Sequence, residues 1–215
     1  MSNSTTGATR QESEADDKRH PSVGEEIRAV RKARRLTLKA VSATVDCSVA
    51  YLSRIERGSA NLSVDLLTRI GEALGVDPKW FFPTRAGESN NEQTYVVRAE
   101  NRRPFSNLYN HNLDELGYVD ELLSSSVAGQ FYMTQAHFPP GTVRITEPRE
   151  RYVYDGEQHG VVIKGFLELT LGDDVITLNC GDSFSYPTRI PHRFRNPGTE
   201  EAIMIWAAAP VVISW

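Results

Sequence analysis

Cysteine is scarce in this chain: Cys47 and Cys180 are the only two among 215 residues. They fall in segments of different character and form no paired motif, which excludes a disulfide framework and a cysteine-based zinc site. Long apolar runs are missing as well. Nothing approaches the roughly 20 residues of a membrane span, and the N-terminus lacks the apolar stretch of a signal peptide, so a cytoplasmic protein with no membrane partner is expected. Residues 1–21 hold almost nothing apolar to bury and read as a disordered tail in which His20 is solvated.

A net positive charge is also lacking, the total being -4. Spread evenly, that balance would argue against nucleic acid. It is not even. Residues 19–82 carry eleven Lys and Arg against seven Asp and Glu, whereas residues 83–215 carry eleven against seventeen. The basic charge is concentrated in one region and the acidity describes the other.

What the basic region contains is helical periodicity. In Thr37–Gly58, TLKAVSATVDCSVAYLSRIERG, two short amphipathic helices would put Leu38, Val41, Val45, Leu52 and Ile55 on one side. Val49, Ala50, Ser53 and Arg54 then face outward. Thr37 and Ser48 are suited to cap these helices, since a side-chain oxygen satisfies free amides of the opening turn. Before them, a helix over Val23–Arg35 has Ile27, Val30 and Ala33 inward and Arg28, Arg31, Lys32, Arg34 and Arg35 around the rest, placed for phosphate. Arg31 and Glu56 are candidates for an ion pair bracing the first helix on the third. After Gly58, a fourth helix capped by Ser63 buries Leu66, Leu67, Ile70 and Leu74 and stops at Gly75; Asp77-Pro78 opens a short fifth whose Trp80, Phe81 and Phe82 close the core.

The pattern Ile27-Arg28 with Arg31, Thr37-Leu38, Ser48 to Gly58, Asn61, Ser63 and Ala73-Leu74-Gly75-Val76 resembles the Xre, or phage-repressor-like, family of DNA-binding domains over Val23–Phe82. Two positions depart from it. Asp46 stands where the turn usually carries Gly, and Leu62 where Pro is usual. Asp tolerates the left-handed backbone better than most residues. The resemblance implies a docking mode on double-stranded DNA in which Val49, Ala50 and Arg54 face base edges. Arg54 is the one able to grip guanine with two hydrogen bonds. Ser53 and Tyr51 flank them, and Thr37, Lys39, Ser48, Arg57 and Asn61 complete the set that touches or positions the DNA backbone.

Residues 83–92 have linker composition, and beyond them the period changes from helical to alternating. TYVVR, QFYMTQAHF, GVVIKG, FLELTL, DVITL, DSFSY and AIMIWAAA read as short strands separated by turns such as PPG, GDD and NPG, indicating an antiparallel barrel or sandwich. The chain thus divides into a tail (1–21), a five-helix domain (22–82), a linker (83–92) and an all-β domain (93–215), an α+β multidomain protein with two cores.

Gly181-Asp182-Ser183-Phe184-Ser185-Tyr186-Pro187 followed by His192 and Asn196 has the spacing of the second cupin motif. Gly156, Glu157 and Gly160 leading to Gly165, then Leu167-Glu168-Leu169, match the first. The all-β domain therefore resembles the cupin superfamily, a jelly-roll barrel, and the whole chain resembles Xre-cupin transcriptional regulators. Metal-binding cupins place two His and a Glu from the first motif and a His from the second around the ion. The matching positions here are Tyr152, Tyr154, Gln158 and His192, a poor set for a divalent metal, since phenols ionise near pH ~10 and amides do not ionise. His159 is adjacent to Gln158 but on the opposite strand face. No metal and no cofactor are expected. The four residues instead suit an organic ligand in the barrel mouth; Arg144, Arg149 and Arg151 either favour an acidic ligand or lie on a solvated loop. His111 and His137 read as structural, and Cys47 as a small buried hydrophobe.

Three functions fit these features. The first is a ligand-responsive regulator, a homodimer that represses transcription and is controlled by a small-molecule effector in the barrel. The second is a metal-dependent cupin oxygenase or epoxidase with a helical N-terminal domain, against which the missing ligand set argues. The third is a DNA-binding protein whose barrel only dimerises.

Overall fold

The computed structural model describes residues 22–82, 96–105, 117–146 and 155–213, with side chains from 144–146 excepted. The tail, the linker, His20, His111, Arg149, Arg151, Tyr152 and Tyr154 lie outside the described residues, as do the side chain of Arg144 and the last two residues.

The helices start where side-chain oxygens can take up their free amides. Helix α1 (Val23–Ala33) has a complete capping box: Ser22 Oγ accepts from the Glu25 amide, and the Glu25 carboxylate accepts from the Ser22 amide. Thr37 caps α2 (Leu38–Thr44), Ser48 caps α3 (Val49–Glu56) and Ser63 caps α4 (Val64–Leu74). Gly75 ends α4 at φ 63°, the left-handed conformation that a Cβ disfavours.

Three expectations for this region change. The fifth helix is a single 3-10 turn, Pro78–Phe81, because only four residues separate its Asp77 cap from Phe82. Phe82 does not join the core; it is 54% exposed, whereas Trp80 and Phe81 are buried. Arg34 does not sit on a solvated basic face either. It is buried, and its Nη2 donates to the Gly75 carbonyl, satisfying one of the acceptors left free at the end of α4.

The remainder is two antiparallel sheets packed face to face. The six-stranded sheet runs β1 (Arg103–Pro104), β2 (Val119–Leu122), β3 (Tyr132–Phe138), β10 (Ala202–Ala209), β5 (Glu157–Lys164) and β8 (Ser183–Pro187). The four-stranded sheet runs β4 (Val143–Thr146), β9 (His192–Arg195), β6 (Phe166–Leu171) and β7 (Asp174–Asn179). This is the expected cupin jelly roll. Alternation does the sorting: Tyr132, Thr134, Ala136 and Phe138 on β3 and Ala202, Met204, Trp206 and Ala208 on β10 are buried, while their neighbours are not. Asn196 pins the Asn196-Pro197-Gly198 turn, donating to the Phe138 and Glu200 carbonyls and accepting from the Gly198 amide. No strand forms over the described part of TYVVR, residues 96–98, which lead instead into a 3-10 turn at Ala99–Asn101.

The two cores expected from the sequence run together. Arg103 on β1 reaches back to the helices: Nη1 donates to Glu26 Oε2 at 3.1 Å and to the Trp80 carbonyl at 2.8 Å, and Nη2 to the Ser125 carbonyl at 2.7 Å. Its guanidinium lies 4.3 Å from the Trp80 ring centre, close enough for cation-π attraction. Phe105 fills the space behind it, edge-on to Trp80 at 6.3 Å and stacked on Tyr132 at 5.0 Å. At the far end of α1, the Ile213 amide donates to the Ala33 carbonyl.

Glu26 is 1% exposed, so its charge depends on Arg103 for compensation. Arg103→Met should lower unfolding stability by about 3–5 kcal/mol in urea titrations, the cost of stranding a buried carboxylate. Pairing it with Glu26→Leu should recover most of that loss.

Candidate nucleic-acid interface and barrel interior

The helix-turn-helix is built from α2, the turn at Val45–Ser48 and α3. The turn closes because Asp46 takes φ 50°, the left-handed geometry anticipated for this position. Val41, Val45, Leu52 and Ile55 are buried beneath it and Leu38 is half-buried.

Two arginines and one glycine hold α3 in place. The Arg31 guanidinium meets the Glu56 carboxylate in parallel, Nε to Oε1 at 2.6 Å and Nη2 to Oε2 at 2.8 Å, and its Nη1 donates to the Leu36 carbonyl. This is the brace anticipated between the first and third helices. Arg69 of α4 donates from Nη1 to the Val45 carbonyl at 2.8 Å, tying down the turn. Gly24 lets α1 approach so closely that a Cβ there would overlap the Ile55 carbonyl oxygen. Neither Arg69 nor Gly24 carries a sequence signal for these roles: one resembles any helix-face arginine and the other a weak helix former.

The outward face of α3 presents Val49, 43% exposed, with Ala50 and Arg54, both exposed, and Ser53 half-buried. The Arg54 guanidinium lies 5.7 Å from the Tyr51 ring centre. Tyr51 is tethered in turn, its hydroxyl donating to the Asn61 carbonyl at 2.8 Å, and Arg57 donates to Ser53 Oγ at 2.9 Å. Thr37 and Ser48 spend their hydroxyls on capping, while Lys39 and Asn61 stand exposed. Arg28 and Lys32 are not grouped with this face. They line a cleft between α1 and the barrel.

In the barrel, Gln158 and His192 converge from different sheets through Tyr186. Gln158 on β5 pairs in register with Tyr186 on β8, whose ring centre is 4.8 Å from that of His192. All three are buried. His192 Nδ1 lies 2.9 Å from the Ile190 carbonyl, which can only accept; the neutral ring is thus protonated on Nδ1 and keeps its lone pair on Nε2. Gln158 Nε2 is a buried donor with no hydrogen-bond partner among the described residues, as is the Thr134 hydroxyl. Phe184 stacks on Tyr186 and contacts Phe194 at 5.2 Å, extending the aromatic wall. Thr134 is not singled out from the sequence, and Phe184 and Tyr186 are named only within the second cupin motif, not as pocket walls, although inward alternation on β3 and β8 marks all three. His159 points outward to Glu157.

Cupins that hold a metal need several imidazole and carboxylate donors, and the described residues do not supply them. No three His, Cys, Asp or Glu side chains converge among the described residues. One imidazole beside a carboxamide and a phenol does not fit a divalent ion.

A helix-turn-helix family model matches residues 27–81 and a cupin domain model residues 135–208. The control protein C.BamHI of Bacillus amyloliquefaciens is 35% identical over 57 residues, 26% of this chain and 70% of that protein. The chain belongs to the Xre-type helix-turn-helix family, here continued by a cupin domain. A helix-turn-helix family transcriptional regulator from Vibrio cholerae aligns over 88% of this chain and 96% of its own, with 18% identity and TM-score 0.43. Hydroxypropylphosphonic acid epoxidase from S. wedmorenis aligns over 88% and 98%, with 16% identity and TM-score 0.42. The cupin domain of an XRE family regulator from Enterobacter cloacae aligns over 43% and 96%, with 20% identity and TM-score 0.39. No described helix is long and apolar enough to cross a membrane.

Cys47, at the turn before α3, is half-buried, and burial pushes its thiol above the ordinary value despite the nearby Arg69 charge. Cys180 is exposed. Ellman's reagent at pH 7.5 should therefore label Cys180 first and Cys47 at least about tenfold more slowly, because only the thiolate reacts.

Proposed function

We propose that the protein is a sequence-specific DNA-binding transcriptional repressor, acting as a homodimer and controlled by a small organic ligand inside the cupin barrel. The observation that carries this reading is the outward face of α3, with Val49, Ala50 and Arg54 exposed and Ser53 half-buried, on a helix held from behind by the buried Arg31–Glu56 pair. Arg54 offers guanine two donors in the fork geometry, and Val49 and Ala50 offer apolar contact to thymine methyl groups. Thr37, Lys39, Ser48, Tyr51, Arg57 and Asn61 set the register on the phosphates.

One such face reads few bases, so affinity must come from two heads placed about one helical turn of DNA apart. The barrel supplies the second half of the mechanism. The buried Gln158 amide and the His192 ring form a polar centre in aromatic walls, with Tyr152 and Tyr154 completing the pocket in this reading. An unsatisfied buried donor costs about 1–3 kcal/mol, and a ligand with a matching acceptor removes that cost. Ligand binding changes DNA affinity to the extent that the two dimer arrangements bind DNA unequally. The chemistry of this donor set supports a binding pocket rather than a metal-dependent catalytic centre, and the chain is read as a non-enzyme.

Arg54→Ala should weaken binding to the specific operator by about 1–3 kcal/mol, with little change on random duplex, in fluorescence anisotropy at fixed salt. Equal loss on both duplexes would show that Arg54 touches phosphate only. His192→Ala and Gln158→Leu should leave operator affinity intact and abolish the melting-temperature rise given by an effector found by thermal-shift screening.

A further inference from the structure

We propose that the cleft between α1 and the barrel is a second ligand site, one that takes a small amphipathic carboxylate. The cleft measures about 660 Å³, within the size range of small-molecule sites, and lies at a junction between structural units where such sites concentrate. Its apolar surface comes from Ala29 on α1, Val127 from the segment after β2 and Val211 beyond β10. Both walls are held. Arg103 joins α1 to the barrel through Glu26 and the Ser125 carbonyl, two residues from Val127, and the Ile213 amide joins α1 to the chain two residues from Val211. A ligand entering here meets a preformed surface and does not have to order it.

Charge selects the headgroup. Arg28 and Lys32 line the cleft one helical turn apart, both exposed, and neither forms an ion pair among the described residues. Solvated surface arginines and lysines are common; two of them above an apolar floor of this size are a different arrangement. Glu25 is the one carboxylate lining the cleft among the described residues, and its Oε2 is occupied as the acceptor for the Ser22 amide in the capping box. The wall therefore presents a forked donor and a point charge, which together suit a carboxylate, over aliphatic surface that suits an alkyl or aryl body.

This site is independent of the barrel interior, where Gln158 and His192 lie, and it makes separate demands on a ligand. Decanoate is a suitable probe, with decanol as its uncharged counterpart. Isothermal titration of the full chain should show decanoate binding, weakened about tenfold or more by Arg28→Gln/Lys32→Gln, while decanol binding stays unchanged. Both substituted side chains are exposed, so the fold should survive, as an unaltered melting curve would show. Ala128→Trp, placed at the exposed rim, should block both probes by filling the cleft. Absence of decanoate binding, equal affinity in wild type and the double variant, or loss of binding in His192→Ala would overturn the proposal, the last by placing the probe in the barrel.

Discussion

Two buried carboxylate–arginine pairs share α1, and the relative placement of everything else follows from them. Arg31 on α1 holds Glu56 at the end of α3, and Glu26 on α1 is held by Arg103 at the start of the barrel. Each carboxylate is almost fully buried, so each pair must stay formed or leave a charge stranded in a poorly solvating interior. One face of α1 therefore commits to the DNA-reading helix and another to the sheets. The column Trp80, Phe105, Tyr132 and Trp206 continues the second contact into the barrel core, with successive ring centres 5.0 to 6.3 Å apart.

That arrangement bears on how a ligand in the barrel can act. Within one chain, the helical unit does not hang from its linker alone; it is joined through Arg103, Phe105 and Ile213. In the proposed mechanism, a signal from the Gln158 and His192 pocket is expressed more naturally as a change between two copies than as free swinging of one head. In the proposed mode of binding, the sparse face of α3 calls for a second copy, since one guanine contact and some methyl contacts give little affinity.

Much of the helical unit was legible because local chemistry specifies it. Ser and Thr caps, Gly75 and the apolar spacing of Val41, Val45, Leu52 and Ile55 each act within one or two turns. The Arg31–Glu56 pair was also readable, as opposite charges flanking two helices whose apolar faces must meet. Arg34 misled because a basic run looks solvated until another helix's free carbonyls are brought beside it. The fifth helix shrank to a 3-10 turn, and Phe82 stayed outside the core, because a segment of four residues cannot turn every side chain inward. In the barrel, the seven expected strands omitted β1, β2, β4 and β9, which have only two to four residues and whose pairing is set by partners distant in sequence. Continuity of the two cores was invisible for the same reason. Nothing near Arg103 or Glu26 in sequence announces that they meet across 77 positions.

The central claim is that this chain reads DNA sequence through α3 as a pair of heads. The most direct measurement is selection of binding sites from a randomised duplex pool by the full-length protein, followed by sequencing. The account predicts enrichment of a pseudo-palindrome whose half-sites lie about one helical turn apart and each contain a guanine. Recovery of a pool as random as the starting one, with binding that depends on salt alone, would contradict it.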